Sequence, residues 1–186
     1  MINWHLFSKA ITAYSNLGYQ IIEVPWLVDQ QAIDVTLPPS AKPFTVSGCG
    51  ELNQLVGSAE QSFVYLALQD KLLPGKYQAL TPCFRDDKED ELHHKYFMKL
   101  ELIEINKLSN KSWNPVMSSS QIIRDAEKVL SQFTSKRIEV LDTDAGADLT
   151  IDGIEIGSYG VRNYQGISWV YGTGLAEPRF SKVNNA

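Results

Sequence analysis

The dipeptide Asp152-Gly153 stands between two runs of strand-forming residues, Ala147 to Ile151 and Ile154 to Ser158. Asp-Gly readily adopts the paired positive-φ conformation of a two-residue hairpin, whose twist matches that of the strands it joins. The turn commits this part of the chain to antiparallel pairing. Ile138 to Asp142 and Ile167 to Tyr171 read as further strands around it, and Tyr77 to Arg85 and Tyr96 to Asn106 as another pair, joined by the polar loop Asp86 to Lys95. Helical stripes are few. Trp4, Phe7, Ile11 and Tyr14 recur at spacings of three and four over Trp4 to Leu17, and Ile122, Ala126, Val129, Leu130 and Phe133 do so over Ser119 to Phe133. A third helix is expected from Ser58 to about Leu72, opened by the capping-box spacing of Ser58 and Gln61 and stopped by Pro74-Gly75. Hairpins with scattered helices predict an α+β fold with a mainly antiparallel sheet.

Gly18 reads as the stop of the first helix, Tyr19 to Val24 as a strand closed by Pro25, and the stretch with Pro38, Pro39 and Pro43 as an ordered loop. The length of 186 residues fits one domain covering residues 1–186, with no part expected to be left over for an appended domain. A formal charge of -5 argues against a dedicated nucleic-acid module, because phosphate neutralisation drives most of that affinity. No apolar run approaches the roughly 18 residues needed to span a membrane, and the N-terminus lacks the basic and apolar regions of a signal peptide. Cys49 and Cys83 alone make neither a disulfide framework nor a zinc cage, which points to reduced thiols in the cytoplasm.

The strand Tyr96 to Asn106 carries the strongest chemical signal. Alternation puts Met98, Leu100 and Leu102 on one face, a plain core face, and Phe97, Lys99, Glu101 and Ile103 on the other. An aromatic, a cation and a carboxylate on one surface suit the floor of a ligand site. Thr81, Cys83 and Arg85 share a face of the preceding strand, so antiparallel pairing can bring Arg85 beside Phe97. An Arg fork matches phosphate oxygens and an aromatic ring offers a plate for a base. An ordinary Arg–carboxylate pair beside an edge aromatic is the alternative that spacing leaves open.

These residues carry a resemblance. Thr81-Pro82-Cys83-Phe84-Arg85-Asp86-Asp87, a loop, and Phe97-Met98-Lys99-Leu100-Glu101-Leu102 resemble motif 2 of class II aminoacyl-tRNA synthetases, with the greatest likeness to the seryl enzymes. The resemblance implies that Arg85 grips the ATP α-phosphate, that Phe97 stacks on adenine, that Asp87 stands at the adenine end where the family usually has glutamate, and that Lys99 and Glu101 line the amino-acid pocket. Gly172-Thr173-Gly174-Leu175-Ala176-Glu177-Pro178-Arg179 resembles motif 3; by it Gly172 and Gly174 permit close approach to the nucleotide and Arg179 holds the γ-phosphate. Trp4 to Pro25 resembles motif 1, which builds the family's homodimer interface. Ser58-Ala59-Glu60 resembles the Thr-x-Glu loop that receives the substrate ammonium. Glu155-Ile156-Gly157-Ser158 resembles the Glu-x-x-Ser segment that reaches ATP through Mg²⁺, so Glu155 and Ser158 are the implied metal site. Tyr159-Gly160-Val161-Arg162 is similar to the corresponding segment of asparagine synthetase A. His93 and His94 read as solvated loop residues.

The resemblance implies a class II synthetase-like sheet flanked by helices and an AMP-forming ligase. Such an enzyme would use ATP and Mg²⁺ to convert an amino acid to an aminoacyl-adenylate and pass it to tRNA, a carrier protein or a small amine. Two other readings stand beside it: an amide-forming ligase resembling asparagine synthetase A, and a non-catalytic synthetase paralogue. Arg85, Phe97, Glu155 and Arg179 speak against the last, since a scaffold needs no triphosphate clamp. About 70 residues separate motifs 2 and 3, and seven follow Arg179, both short for the family.

Overall fold

A computed structural model describes residues 1–37, 42–86 and 88–186. Pro38 and Pro39 of the expected loop, and Asp87, lie outside the described residues. In chain order the elements are α1 (Trp4–Asn16), β1 (Gln20–Ile21), β2 (Leu27–Val28), α2 (Gln30–Asp34), β3 (Phe44–Thr45), β4 (Gln54–Leu55), α3 (Ala59–Leu68), β5 (Gly75–Phe84), β6 (Tyr96–Lys107), α4 (Pro115–Leu130), β7 (Ile138–Thr143), β8 (Gly146–Ile151), β9 (Ile154–Tyr164), β10 (Ile167–Glu177) and α5 (Arg179–Asn185). Seven strands form one sheet in the order β1-β5-β6-β10-β9-β8-β7, antiparallel throughout except for the β1–β5 pair; β2, β4 and β3 form a small second sheet.

Local chemistry explains the element ends, including those that differ from expectation. Gly18 sits at φ 91° just past α1, as its freedom at positive φ allows. α3 ends at Leu68, short of Pro74-Gly75, because Asp70 takes φ 54° and the Lys71 and Asp70 amides close back onto the carbonyls of Leu66 and Ala67. α4 starts at Pro115, four residues before the apolar stripe, with Asn114 capping the Val116 and Met117 amides. The Asp152-Gly153 hairpin forms with both residues at positive φ, and Gln165-Gly166 makes a second turn of the same kind that the sequence did not flag. β9 and β10 therefore run well beyond Ser158 and Tyr171. The segment Gly172-Thr173-Gly174 is part of β10.

The two faces of the sheet bury different things. Met98, Leu100 and Leu102 of β6 face the main core, with Phe7 and Tyr14 of α1, Ile122, Ala126 and Val129 of α4, and Phe180 of α5. On the other face α3 lays Ala59, Phe63, Val64 and Ala67 against Tyr77, Ala79, Ile103, Ile105, Trp169 and Tyr171. Trp4, expected on the inward stripe of α1, is 58% exposed, and Phe7, Ala10 and Tyr14 form the buried side of the helix. α3 covers only part of its face of the sheet, and the site occupies the rest.

Candidate active site

A cleft of about 370 Å³ opens on that face, lined by Ser58, Glu60, Arg85, Phe97, Lys99, Glu101, Glu155, Ser158 and Arg179 among others. Its floor follows from strand register: Cys83 pairs with Phe97, Thr81 with Lys99 and Thr173 with Glu101, so the alternation read on β6 holds across three strands. Arg85 lies just past the end of β5. Its Nε donates to the Gly57 carbonyl at 2.9 Å, and its guanidinium carbon stands 5.2 Å from the Phe97 ring centroid. The expected Arg–aromatic pairing is present, with cation–π geometry.

Two buried carboxylates sit deeper. Glu101 is fully buried, with Lys99 Nζ 2.9 Å and 3.0 Å from its two oxygens and the Ser58 hydroxyl donating to it at 2.5 Å. Ser58 also accepts from the Glu60 amide as the cap of α3, so one hydroxyl serves both the helix and the site. The partner in the expected capping box is displaced by one residue: Gln61 accepts from the Gly57 amide at 2.7 Å. Glu60 accepts from the Trp169 indole at 2.7 Å on one oxygen and from Arg162 at 2.5 Å on the other. Burial pushes the Glu60 carboxyl above the ordinary carboxylate range; Arg162 draws it down and the nearby Glu101 pushes it further up.

Two β-bulges decide which residues reach the cleft. On β9 Leu149 pairs with Gly157 and Thr150 with Glu155, which leaves Ile156 as the extra residue. Residues three apart on a regular strand face opposite sides, but a bulge between them resets the alternation, and Glu155 and Ser158 both line the cleft. On β10 Thr173 pairs with Glu101 and Leu175 with Leu100, so Gly174 is the extra residue, and Thr173 and Ala176 both line the cleft. Arg179, at the start of α5, binds Glu155 at 3.2 Å. Buried phenols hold the second bulge from below: Tyr14 donates to the Gly174 carbonyl at 2.9 Å and Tyr159 to the Thr173 carbonyl at 2.6 Å.

Gly172 and Gly174, expected to permit close approach to the nucleotide, pack against the core. Neither lines the cleft. A Cβ built on Gly172 would come within 2.4 Å of the Tyr159 ring and 2.7 Å of Ile122, and one on Gly174 within 3.0 Å of Tyr14 and 3.2 Å of the Leu100 carbonyl. The space these glycines leave is taken by the core, because alternation turns Thr173, not its neighbours, toward the cleft. Asp87, the remaining expected contact, lies outside the described residues. His93 and His94 border the cleft: His93 is exposed, as expected, and pairs with Asp90 at 2.8 Å, while His94 is partly buried with its Nε2 2.9 Å from Lys182 Nζ. Asp90, bonded by His93 and two backbone amides, is drawn down to about 2.

Trp169 and Tyr171 are site residues that sequence reasoning did not single out, and Arg162 entered only within the segment similar to asparagine synthetase A, with no role of its own. Arg162 stands 4.4 Å from the Tyr171 ring centroid. The available signal was strand length: once β9 extends past Ser158, alternation from Ser158 reaches Arg162, and Trp169, Tyr171 and Thr173 likewise share a face of β10. Among the described residues no group of three His, Cys, Asp or Glu side chains is placed to hold a metal ion by itself, and no helix is long and apolar enough to cross a membrane. Cys49 is exposed and Cys83 buried, both as free thiols.

With this geometry in hand, solved structures give clear matches. The pyrrolysyl-tRNA synthetase of Desulfitobacterium hafniense superposes with a TM-score of 0.73 over 98% of this chain and 69% of that chain, at 16% identity. The cytoplasmic serine–tRNA ligase of Naegleria fowleri, solved in complex with AMP, gives 0.75 over 96% of this chain and 46% of that chain, at 19% identity. This chain has a class II aminoacyl-tRNA synthetase-like core. Sequence agrees: the serine–tRNA ligase of Thermotoga neapolitana is 31% identical over 129 residues, 62% of this chain and 29% of that protein, and the one from Coxiella burnetii is 31% identical over 143 residues, 69% and 32%. The chain thus spans about a third of the length of these curated relatives. No family model matches it. In the terms of the class II core, motif 2 is the β5–β6 hairpin and motif 3 runs from β10 into α5.

Proposed function

We propose that the chain activates an amino acid with ATP, forming an aminoacyl-adenylate and pyrophosphate. The observation that carries this reading is the convergence in one cleft of the Arg85–Phe97 pair, Arg179 and the buried carboxylates Glu60 and Glu101. Adenine would stack on Phe97, Arg85 would grip the α-phosphate and Arg179 the γ-phosphate. The substrate ammonium would settle against Glu60 and Glu101, which together keep acceptor capacity beyond the bonds they already make. The amino-acid carboxylate would then attack the α-phosphorus in line as pyrophosphate leaves. Positioning and charge stabilisation are the protein's contribution, and each close charge contact is worth on the order of 1–4 kcal/mol depending on local dielectric.

Glu155 and Ser158 supply oxygen ligands that fit a Mg²⁺ held mainly by phosphate oxygens, the usual arrangement for this ion. Its chemistry there would be to neutralise triphosphate charge. The Glu155–Arg179 contact keeps both groups at the same end of the cleft. The names of the relatives, serine–tRNA ligase and pyrrolysyl-tRNA synthetase, support tRNA as the acceptor to test first, with a carrier protein or small amine next. The segment from Trp4 to Pro25 is proposed as a homodimer interface; the exposed Trp4 and Ile21 support it, and a monomeric mass at micromolar concentration would refute it. Two free thiols are in keeping with a cytoplasmic location.

The deciding experiment is amino-acid-dependent ATP–pyrophosphate exchange over the twenty amino acids with Mg²⁺, beside calorimetric ATP binding. Exchange abolished by Arg85→Ala and Arg179→Ala is the expected result. Absence of both exchange and ATP binding in the wild type would sink the proposal.

A further inference from the structure

The amino-acid end of the cleft holds four charged groups, and they are closed into two pairs. Glu101 is matched by Lys99, and Glu60 by Arg162. Each pair is held by contacts outside it. Trp169 takes the second oxygen of Glu60, Arg162 lies on the Tyr171 ring, and Ser58 takes an oxygen of Glu101. Glu60, Glu101 and Lys99 are 4%, 0% and 9% exposed, so their charges are largely removed from water. Other charged side chains line the cleft as well, Arg85, Arg179 and Glu155 among them. The four paired groups together are therefore neutral as built.

The geometry points to the Glu60–Arg162 pair as the element that sets charge selectivity, restricting the substrate to amino acids with an uncharged side chain. The inference rests on the amino-acid reading of this cleft. A zwitterionic α-amino acid adds no net charge to the balanced site. A side-chain carboxylate or ammonium adds one, and a charge brought into a largely desolvated site without a partner is strongly disfavoured. Arg162 is a cation on the cleft wall, the residue type that would take a side-chain carboxylate, but Glu60 already occupies it at 2.5 Å. Substrates of the aspartate type, which the similarity to asparagine synthetase A would suggest, are thereby excluded. Glu60, already balanced by Arg162, has no uncompensated charge for a second ammonium once its remaining lone pairs have taken the α-ammonium.

The test uses three probes of nearly equal size, asparagine, aspartate and 2,4-diaminobutyrate, titrated by calorimetry without nucleotide. The proteins are wild type, Glu60→Gln, Arg162→Met, the double variant and Arg162→Lys. Wild type should bind asparagine at least about tenfold tighter than either charged probe, a difference that calorimetry resolves readily. Glu60→Gln frees Arg162 and should turn the preference to aspartate. Arg162→Met frees Glu60 and should turn it to 2,4-diaminobutyrate. The double variant restores neutrality and Arg162→Lys preserves it, and both should keep the wild-type order. A wild type that favours a charged probe or binds none of the three overturns the inference, as does an order unchanged in both single variants. The wild-type ranking decides even if a single variant fails to fold. ATP binding, measured separately, tells failure of this inference from failure of the activation chemistry.

Discussion

Substitution of Gly172 by alanine separates two roles for a motif 3 glycine. A Cβ at this position meets Tyr159 Cδ1 at 2.4 Å, Tyr159 Cε1 at 2.7 Å and Ile122 Cγ2 at 2.7 Å, all closer than van der Waals contact allows. Neither neighbour moves freely. Both are buried, and the Tyr159 hydroxyl is tied to the Thr173 carbonyl at 2.6 Å. Overpacking of a formed core costs about 1–3 kcal/mol. Swinging Tyr159 aside would add a further ~1–3 kcal/mol by stranding a buried carbonyl. A total of about 2–6 kcal/mol corresponds to a fall in Tm of roughly 4–24 °C for a chain of this size. Thermal unfolding followed by circular dichroism, together with the urea midpoint, measures it. An unchanged Tm with ATP binding lost would place the glycine against the nucleotide and refute the packing argument.

Other perturbations follow from the same contacts. Tyr14→Phe removes the donor to the Gly174 carbonyl and should cost about 1–3 kcal/mol in urea unfolding; no loss would mean that the β10 bulge does not depend on this bond. Ser58→Ala loses the cap of α3 and a bond to Glu101, so stability should fall by about 0.5–2 kcal/mol and amino-acid binding should weaken with it, whereas Ser58→Thr should retain both. Burial raises the Glu177 carboxyl above its ordinary value of about 4.3, against the pull of the Ser181 hydroxyl. A raised folded pKa contributes stability that is full below the unfolded pKa and is lost as pH rises through the folded pKa. Glu177→Gln does not titrate, so its Tm relative to wild type should climb between pH 4 and pH 8; a flat or falling difference would show that the buried carboxyl carries no such penalty.

The antiparallel sheet and the face of β6 that lines the cleft were legible in sequence because each rests on short-range rules. Alternation on β6 alone assigns Met98, Leu100 and Leu102 to the core and Phe97, Lys99 and Glu101 to the cleft, and the structure agrees. Asp152-Gly153 makes its hairpin from two residues, and Ser58 caps α3 from one. The same locality explains where the reading failed. Two bulges insert Ile156 and Gly174 into their strands, and a bulge is a property of a strand pair, set by what packs on either side. They bring Glu155 with Ser158, and Thr173 with Ala176, into one cleft, and the extra residue Gly174 packs against Tyr14. Arg162 meets Glu60 across 102 residues of chain, and Trp169 meets it across 109. Neighbouring residues alone determined that this chain builds a sheet with a charged, aromatic floor. Only the tertiary structure decided which charges are already matched on that floor, because pairing between distant strands has no local signature.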